Sequence, residues 1–328
     1  MRARAPASAA NLGPGFDTLA LALSLYVEVQ VEPAPRLVVH SYGEGAGLAD
    51  DAGHLAARVA MDVAGHDRLA ITVRSQIPVA RGLGSSAALA AAAAAAAGST
   101  DPLAVAAHVD GHPENAAASV TGGLVVAANV RGSVRVLPMP LDPDLVVVAV
   151  VPDRPLTTAK ARQLLPSQVS RDDAAFNLGR MGLLLAGLAD HRRLTREAAE
   201  DRLHQDYRSP LFPEAPKLLA ALHDGGALAA CWSGAGPTLL GICTSGQASG
   251  VQRVAKDELA ASGVPGQVLV LAPDNEGLVR GADARLPAGT GSFDRPGDEA
   301  ASGVIPEANG SLSVPPGDQA LFDFDENS

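Results

Sequence analysis

Two glycines followed by two serines, in Arg81-Gly82-Leu83-Gly84-Ser85-Ser86, are the residues best suited to holding an anion. Gly82 and Gly84 let the backbone turn tightly and approach a ligand closely. Ser85 or Ser86 is expected to cap the helix that follows. That helix runs through Ala87, Ala88, Leu89 and the alanines Ala90 to Ala97, and Gly98 ends it. Free N–H groups at its start, with the helix dipole behind them, suit a phosphate. No lysine follows the second glycine, so this is not a Walker A loop. A nucleotide held here would need Mg²⁺ and backbone dipoles to offset its charge. Asp110-Gly111-His112-Pro113-Glu114-Asn115 places two carboxylates close together ahead of a second short helix, and hard oxygen ligands beside a triphosphate suit Mg²⁺. Taken alone, the first segment also reads as an ordinary glycine turn before a buried helix, and Asp110 and Glu114 as helix-end caps.

The elements that must position these groups follow from periodicity and punctuation. Strands are expected at Val27 to Val31, Leu37 to Ser41, Ala70 to Arg74, Leu124 to Asn129, Val134 to Leu137 and Leu145 to Val151. Helices are expected at His54 to Ala64, Pro102 to His108, Thr158 to Leu164, Ala174 to Ala189, Arg196 to Leu203, Lys217 to Asp224 and Gln247 to Ala261. Ala227 to Trp232 and Pro237 to Thr244 read as a hairpin around Gly234-Ala235-Gly236, and Val268 to Ala272 as a last strand. Strands and helices mix without strict βαβ alternation, which argues for an α+β fold.

The chain has 328 residues, enough for two domains and a substantial core. Aromatic residues are only 3%, so the core must be aliphatic. The net charge of −11 disfavours nucleic acid and anionic membrane surfaces as partners. Much of that charge sits between Gly281 and Ser328, which holds nine acidic and two basic residues. This Gly/Pro/Ser-rich stretch lacks the apolar content to offset ordering entropy and reads as a disordered tail, with Leu321-Phe322-Asp323-Phe324 as a conceivable interaction motif. Cys231 and Cys243 lack metal-type spacing, which fits a reducing cytosol. Neither a signal peptide nor a bilayer-length apolar run is expected, so the reading is a cytoplasmic protein.

Pro78 to Ala87 resembles the P-x-x-x-G-L-G-S-S-A signature of the GHMP kinases. Pro6-Ala7-Ser8-Ala9-Ala10-Asn11-Leu12-Gly13-Pro14-Gly15-Phe16-Asp17, Gly111-His112-Pro113-Glu114-Asn115, Leu203-His204-Gln205-Asp206-Tyr207-Arg208 and Ser233-Gly234-Ala235-Gly236-Pro237-Thr238 resemble segments of the homoserine kinase branch, in family order. The resemblance implies two domains: residues 1–151, like ribosomal protein S5 domain 2, with the ATP site, and residues 152–276, ferredoxin-like. An acidic tail, 277–328, follows. The implied reaction is ATP-dependent phosphorylation of the L-homoserine hydroxyl, with Mg²⁺, and a homodimer is left open.

The resemblance also assigns roles. Pro78, Arg81, Gly82, Leu83, Gly84, Ser85 and Ser86 would bind ATP. Ser85 and Asp110 would hold the metal. Asn11, Asp17, His112, Glu114, Thr158, Arg162, Arg208 and Gly234 would meet the substrate. Arg162 and Arg208 would take its carboxylate, a natural task for a bidentate guanidinium, and Asp17 its amine. Glu114, Asn115, Arg162 and Arg208 form the implied catalytic set. The chain departs from the branch in one place. Relatives carry Glu-Gly-His-Pro-Asp-Asn, and here the two acids are exchanged. Gly53-His54 stands where relatives often have Asn-His, which leaves adenine contacts unassigned. Two rivals remain: a GHMP kinase for another small hydroxy acid or alcohol, and a nucleotide-binding relative without turnover.

Overall fold

The computed structural model describes residues 1–287; most of the acidic segment read as a tail, with the Leu321 to Phe324 motif, lies outside them. The first half of the chain forms β1 (Arg2–Ala10), β2 (Leu19–Pro33), β3 (Val38–Gly43), α1 (Leu55–Ala64), β4 (Leu69–Ser75), α2 (Ser85–Ala97), α3 (Pro102–Asp110), α4 (Pro113–Thr121), β5 (Leu124–Val130) and β6 (Ser133–Met139). The second half forms β7 (Leu145–Pro152), α5 (Thr158–Arg162), α6 (Arg171–Ala189), α7 (Gln205–Arg208), α8 (Ala215–Asp224), β8 (Ala229–Trp232), β9 (Leu239–Thr244), α9 (Ala248–Ala261), β10 (Gly266–Leu271) and β11 (Val279–Arg280). No described helix is long and apolar enough to cross a membrane.

Seven strands form the first sheet, in the order β11-β1-β2-β4-β3, with β5 on the early part of β2 and β6 on β5. Three pieces of it have no counterpart in the sequence reading: β1, the start of β2, and β11. Strand β1 is built from Ala3, Ala5, Ala7 and Ala9, all at 0% exposure, and alanine carries little strand propensity. Strand β2 begins at Leu19 because Leu19-Ala20-Leu21-Ala22-Leu23 is buried on both faces. The sequence reading starts it at Val27. Helix α2 lies against β1, β2, α1, α3 and α4. Its alanines from Ala90 to Ala96 are all buried, as an all-round apolar helix requires. From Ala90 on, its own side chains add only methyl groups to those contacts.

The second sheet is antiparallel, in the order β10-β7-β9-β8, with α8 and α9 on one face. Order and connections are those of a βαββαβ ferredoxin-like unit. Val148, Val150, Leu218, Leu222, Trp232 and Val251 form the core under the helices. Val147, Ala149, Val151, Ala229 and Ile242 point the other way, into the core continuous with the first sheet. Burial on both faces explains the unbroken apolar run of β7.

Three expectations need correction. β7, which a boundary at 151 leaves in the first domain, pairs with β9 and β10 in the second sheet. The chain does not leave the fold at 277: Val279 and Arg280 pair with Arg4 and Ala3 of β1. The helix expected at Arg196 to Leu203 is a single 3₁₀ turn, Arg196–Ala199. The carboxylate of Asp201 takes the N–H groups of Leu203, His204 and Gln205, so a side chain replaces the helical hydrogen bonds.

Candidate active site

The loop between β4 and α2 is held by close backbone contacts. Ala80, Gly82 and Gly84 have φ of 54°, 78° and 66°. A Cβ on Gly82 would lie 2.4 Å from the Ser233 carbonyl oxygen, and one on Gly84 2.0 Å from Ser8 Oγ. Gly84 is the left-handed N-cap of α2, with no side-chain cap. The expected serine cap is therefore absent; Ser85 and Ser86 are the first two helical residues. Their hydroxyls bond no described residue, and the first-turn N–H groups point out of the helix start. Leu83 and Pro78 are buried and anchor the loop. Arg81 points elsewhere: its guanidinium donates to the carbonyls of Val79 (2.9 Å) and Asp153 (2.8 Å), bracing the loop.

The second glycine-rich turn, between β8 and β9, buttresses this loop. Ser233 Oγ donates to the Gly82 carbonyl (2.6 Å), the Thr238 N–H to the Arg81 carbonyl (3.2 Å) and the Gly234 N–H to the Ala10 carbonyl (2.9 Å). The Gly234 carbonyl accepts from Asn11 Nδ2 (3.0 Å) and Arg208 Nη1 (2.7 Å). Gly234 thus orients both side chains through its backbone.

The loop after β1 is a run of left-handed residues, Asn11, Leu12 and Gly13, closed by Asp17 at φ 53°. Asn11 Oδ1 accepts the Asp17 N–H (3.0 Å). Arg162, at the end of α5, reaches Asp17 with Nη2–Oδ1 at 2.5 Å. The groups assigned to opposite ends of an amino acid thus neutralise each other here. Phe16 lies between the two arginines, its ring centre 5.5 Å from the Arg162 guanidinium and 5.7 Å from that of Arg208. Arg208 is 2% exposed, and its pKa is pushed down to about 10, chiefly by burial and then by Arg162. The Nε donors of both arginines are buried without a hydrogen-bond partner among the described residues.

Asp110 ends α3 and Glu114 lies in the first turn of α4. Asn115 links this pair to the phosphate loop. It accepts from Ser8 Oγ at 2.9 Å, donates to Asp110 Oδ2 at a long 3.5 Å, and faces Gly84. Burial pushes the Asp110 carboxyl up to about 6, against the Asn115 hydrogen bond and Arg162. It pushes Glu114 up to about 7, with Asp17 and Asp110 adding repulsion. Glu114 is 3% exposed and its Oε2 has no partner among the described residues. His112 donates from Nδ1 to the Asp110 carbonyl (3.2 Å), and burial and then Arg162 hold its pKa low. Asp17, Asp110, His112, Glu114, Arg162 and Arg208 thus form one electrostatic cluster.

Thr158 is not drawn in. It is exposed on the first turn of α5, where Thr157 supplies the cap. His54 caps α1 through Nδ1. Asn177 and Arg180 are structural: Asn177 bridges Asp201 and the Arg202 N–H, and Arg180 chelates Glu200. Phe16 and His204, both inside quoted motifs, belong to the site but carry no sequence signal for it.

A glycine-rich loop feeding an alanine helix, buttressed from a ferredoxin-like sheet, makes a phosphate-ready helix start braced by backbone from both sheets. The GHMP kinases N terminal domain model matches residues 52–123, and the GHMP kinases C terminal model residues 179–261. A homoserine kinase of Desulfitobacterium hafniense is 36% identical, over 84% of this chain and 98% of its own length. One from Moorella thermoacetica is 37% identical over the same shares. The crystal structure of homoserine kinase from Cytophaga hutchinsonii superposes with a TM-score of 0.75 at 25% identity, covering 85% of this chain and 96% of that one. Mevalonate kinase of L. major shares the fold, at a TM-score of 0.63 and 16% identity over 86% of this chain and 96% of that one. The chain belongs to the homoserine kinase family within the GHMP kinases.

Proposed function

We propose that this protein transfers the γ-phosphoryl group of ATP to the side-chain hydroxyl of L-homoserine, giving O-phospho-L-homoserine and ADP in the cytoplasm. One observation carries the reading. Three buried polar atoms of one cluster, Nε of Arg162, Nε of Arg208 and Oε2 of Glu114, have no partner among the described residues. Buried polar groups are seldom left unpaired, so a ligand with a carboxylate and a hydroxyl is what they fit. Arg208 and Arg162 take the carboxylate, and Asp17 the ammonium group. Glu114 accepts the hydroxyl hydrogen, which directs the oxygen lone pair at the γ-phosphorus. As that oxygen bonds to phosphorus, the bond to the ADP oxygen breaks. A Glu114 pKa of about 7 suits it to hold the released proton near neutral pH. The α2 start holds the phosphates through backbone N–H groups, and the rate rests mainly on positioning and electrostatics.

The residues present fit a magnesium ion. Ser85 and Asp110 offer hard oxygen donors, and the Asn115 hydrogen bond and Arg162 only partly offset the burial that pushes Asp110 up to about 6. Bound there with ATP, Mg²⁺ would offset the triphosphate charge. The longer Glu114 in place of the branch's aspartate extends the carboxylate toward the acceptor.

Coupled ADP release from Mg-ATP tests the reading, with L-homoserine, L-threonine, mevalonate and galactose as acceptors. Release stimulated by L-homoserine alone, and lost in Arg208→Ala, is expected. Stimulation by another alcohol instead would reject the substrate, and ATP binding without release for any acceptor would reject the turnover.

A further inference from the structure

His204 lies at the start of α7, is fully buried and takes no part in the mechanism above. Its ring joins the two halves of the amino-acid end of the site. Nδ1 lies 3.0 Å from Arg208 Nη1, and Nε2 lies 2.7 Å from the Gly13 carbonyl oxygen. A guanidinium only donates and a carbonyl only accepts. The two partners therefore fix one tautomer: a neutral ring, proton on Nε2, lone pair on Nδ1 facing Arg208. The ring also stacks on Phe16, with centres 5.1 Å apart and planes at 24°.

The consequence for Arg208 is geometric. Nη1 has two hydrogens, and Gly234 and His204 take both. The guanidinium is left with Nε and Nη2, which lie side by side and form a bidentate edge for a carboxylate. Neither makes a hydrogen bond to a described residue. We propose that His204 is a positioning residue that holds the Nε/Nη2 edge of Arg208 toward the substrate carboxylate and ties it to the loop bearing Phe16 and Asp17. This rests on the reading that Arg208 grips that carboxylate. Asp201 faces the ring at 3.6 Å from Nε2, with its oxygens engaged by backbone N–H groups, and burial pushes the His204 pKa down to about 4. The ring therefore stays neutral across the working pH range.

Two near-isosteric substitutions separate the two hydrogen bonds. His204→Asn keeps an acceptor where Nδ1 was, and His204→Gln keeps a donor where Nε2 was. The expected result is a rise in KM for L-homoserine of about 10- to 100-fold in His204→Gln, the range for a lost hydrogen bond to a charged group. His204→Asn should restore most of it. KM for ATP should stay level in both. The alcohol analogue of homoserine, with CH₂OH in place of the carboxylate, should show no added loss in His204→Gln. Equal losses for both acceptors, or no rescue by asparagine, would overturn the proposal and leave His204 a packing residue. Arg208→Lys in the wild-type background is the separate control. If it leaves KM for L-homoserine unchanged, the carboxylate reading itself fails, whatever the His204 variants do.

Discussion

Glu114→Gln should make the protein more stable and nearly inactive. Glu114 is 3% exposed, and burial raises its pKa from 4.5 to about 7. At ~1.36 kcal/mol per unit, that rise corresponds to about 3 kcal/mol. The sign follows from which state holds the proton more tightly. The folded protein does, so between pH 4.5 and 7 the unfolded chain releases its proton first and stability falls as pH rises. Below pH 4.5 the carboxyl is protonated in both states and the penalty vanishes. Above 7 the penalty is complete. Glutamine keeps the shape without the charge. Urea unfolding of both proteins at pH 4.5 and pH 8 is the assay. The variant should gain about 2–3 kcal/mol over wild type at pH 8 and little at pH 4.5, while kcat falls by ~100-fold or more because the hydroxyl loses its anionic acceptor. In wild type, log kcat/KM should climb with pH until it passes about 7. A stability difference that does not change with pH, or a wild type more stable at pH 8, would refute the reasoning.

Gly84→Ala forces a left-handed φ of 66° on alanine and places its Cβ 2.0 Å from Ser8 Oγ. It should cost about 2 kcal/mol or more in stability and weaken ATP binding by calorimetry, and adding Ser8→Gly should recover only the steric part. Asp17→Asn removes the partner of Arg162. It should lower kcat/KM for L-homoserine while raising it for 4-hydroxybutyrate, which lacks the amine, so the ratio of the two acceptors is the readout. Ala92→Leu overpacks the fully buried α2 and should lower stability by about 1–3 kcal/mol in denaturant titration, without changing KM in the fraction that folds.

The sequence by itself determined the parts of this protein that are local. A glycine pair before an alanine run makes a phosphate-ready helix start wherever it is placed; α2 follows from that run, and α1, α3, α6, α8, α9 and most strands follow from periodicity and punctuation. The five motifs, in order, carried the family. β1 and the early part of β2 escaped because alanine alternation is a weak strand signal that burial alone makes decisive. Tertiary structure decided how the motifs act on one another. That the cap of α2 has room only for glycine depends on Ser8, and that Arg81 braces the loop depends on Asp153. The pairing of Asp17 with Arg162 spans 145 residues of sequence, and that of His204 with Gly13 spans 191. No periodicity encodes such contacts. The upward shifts of Asp110 and Glu114 have the same origin, because a carboxyl's pKa is set by the water it loses when distant elements close over it.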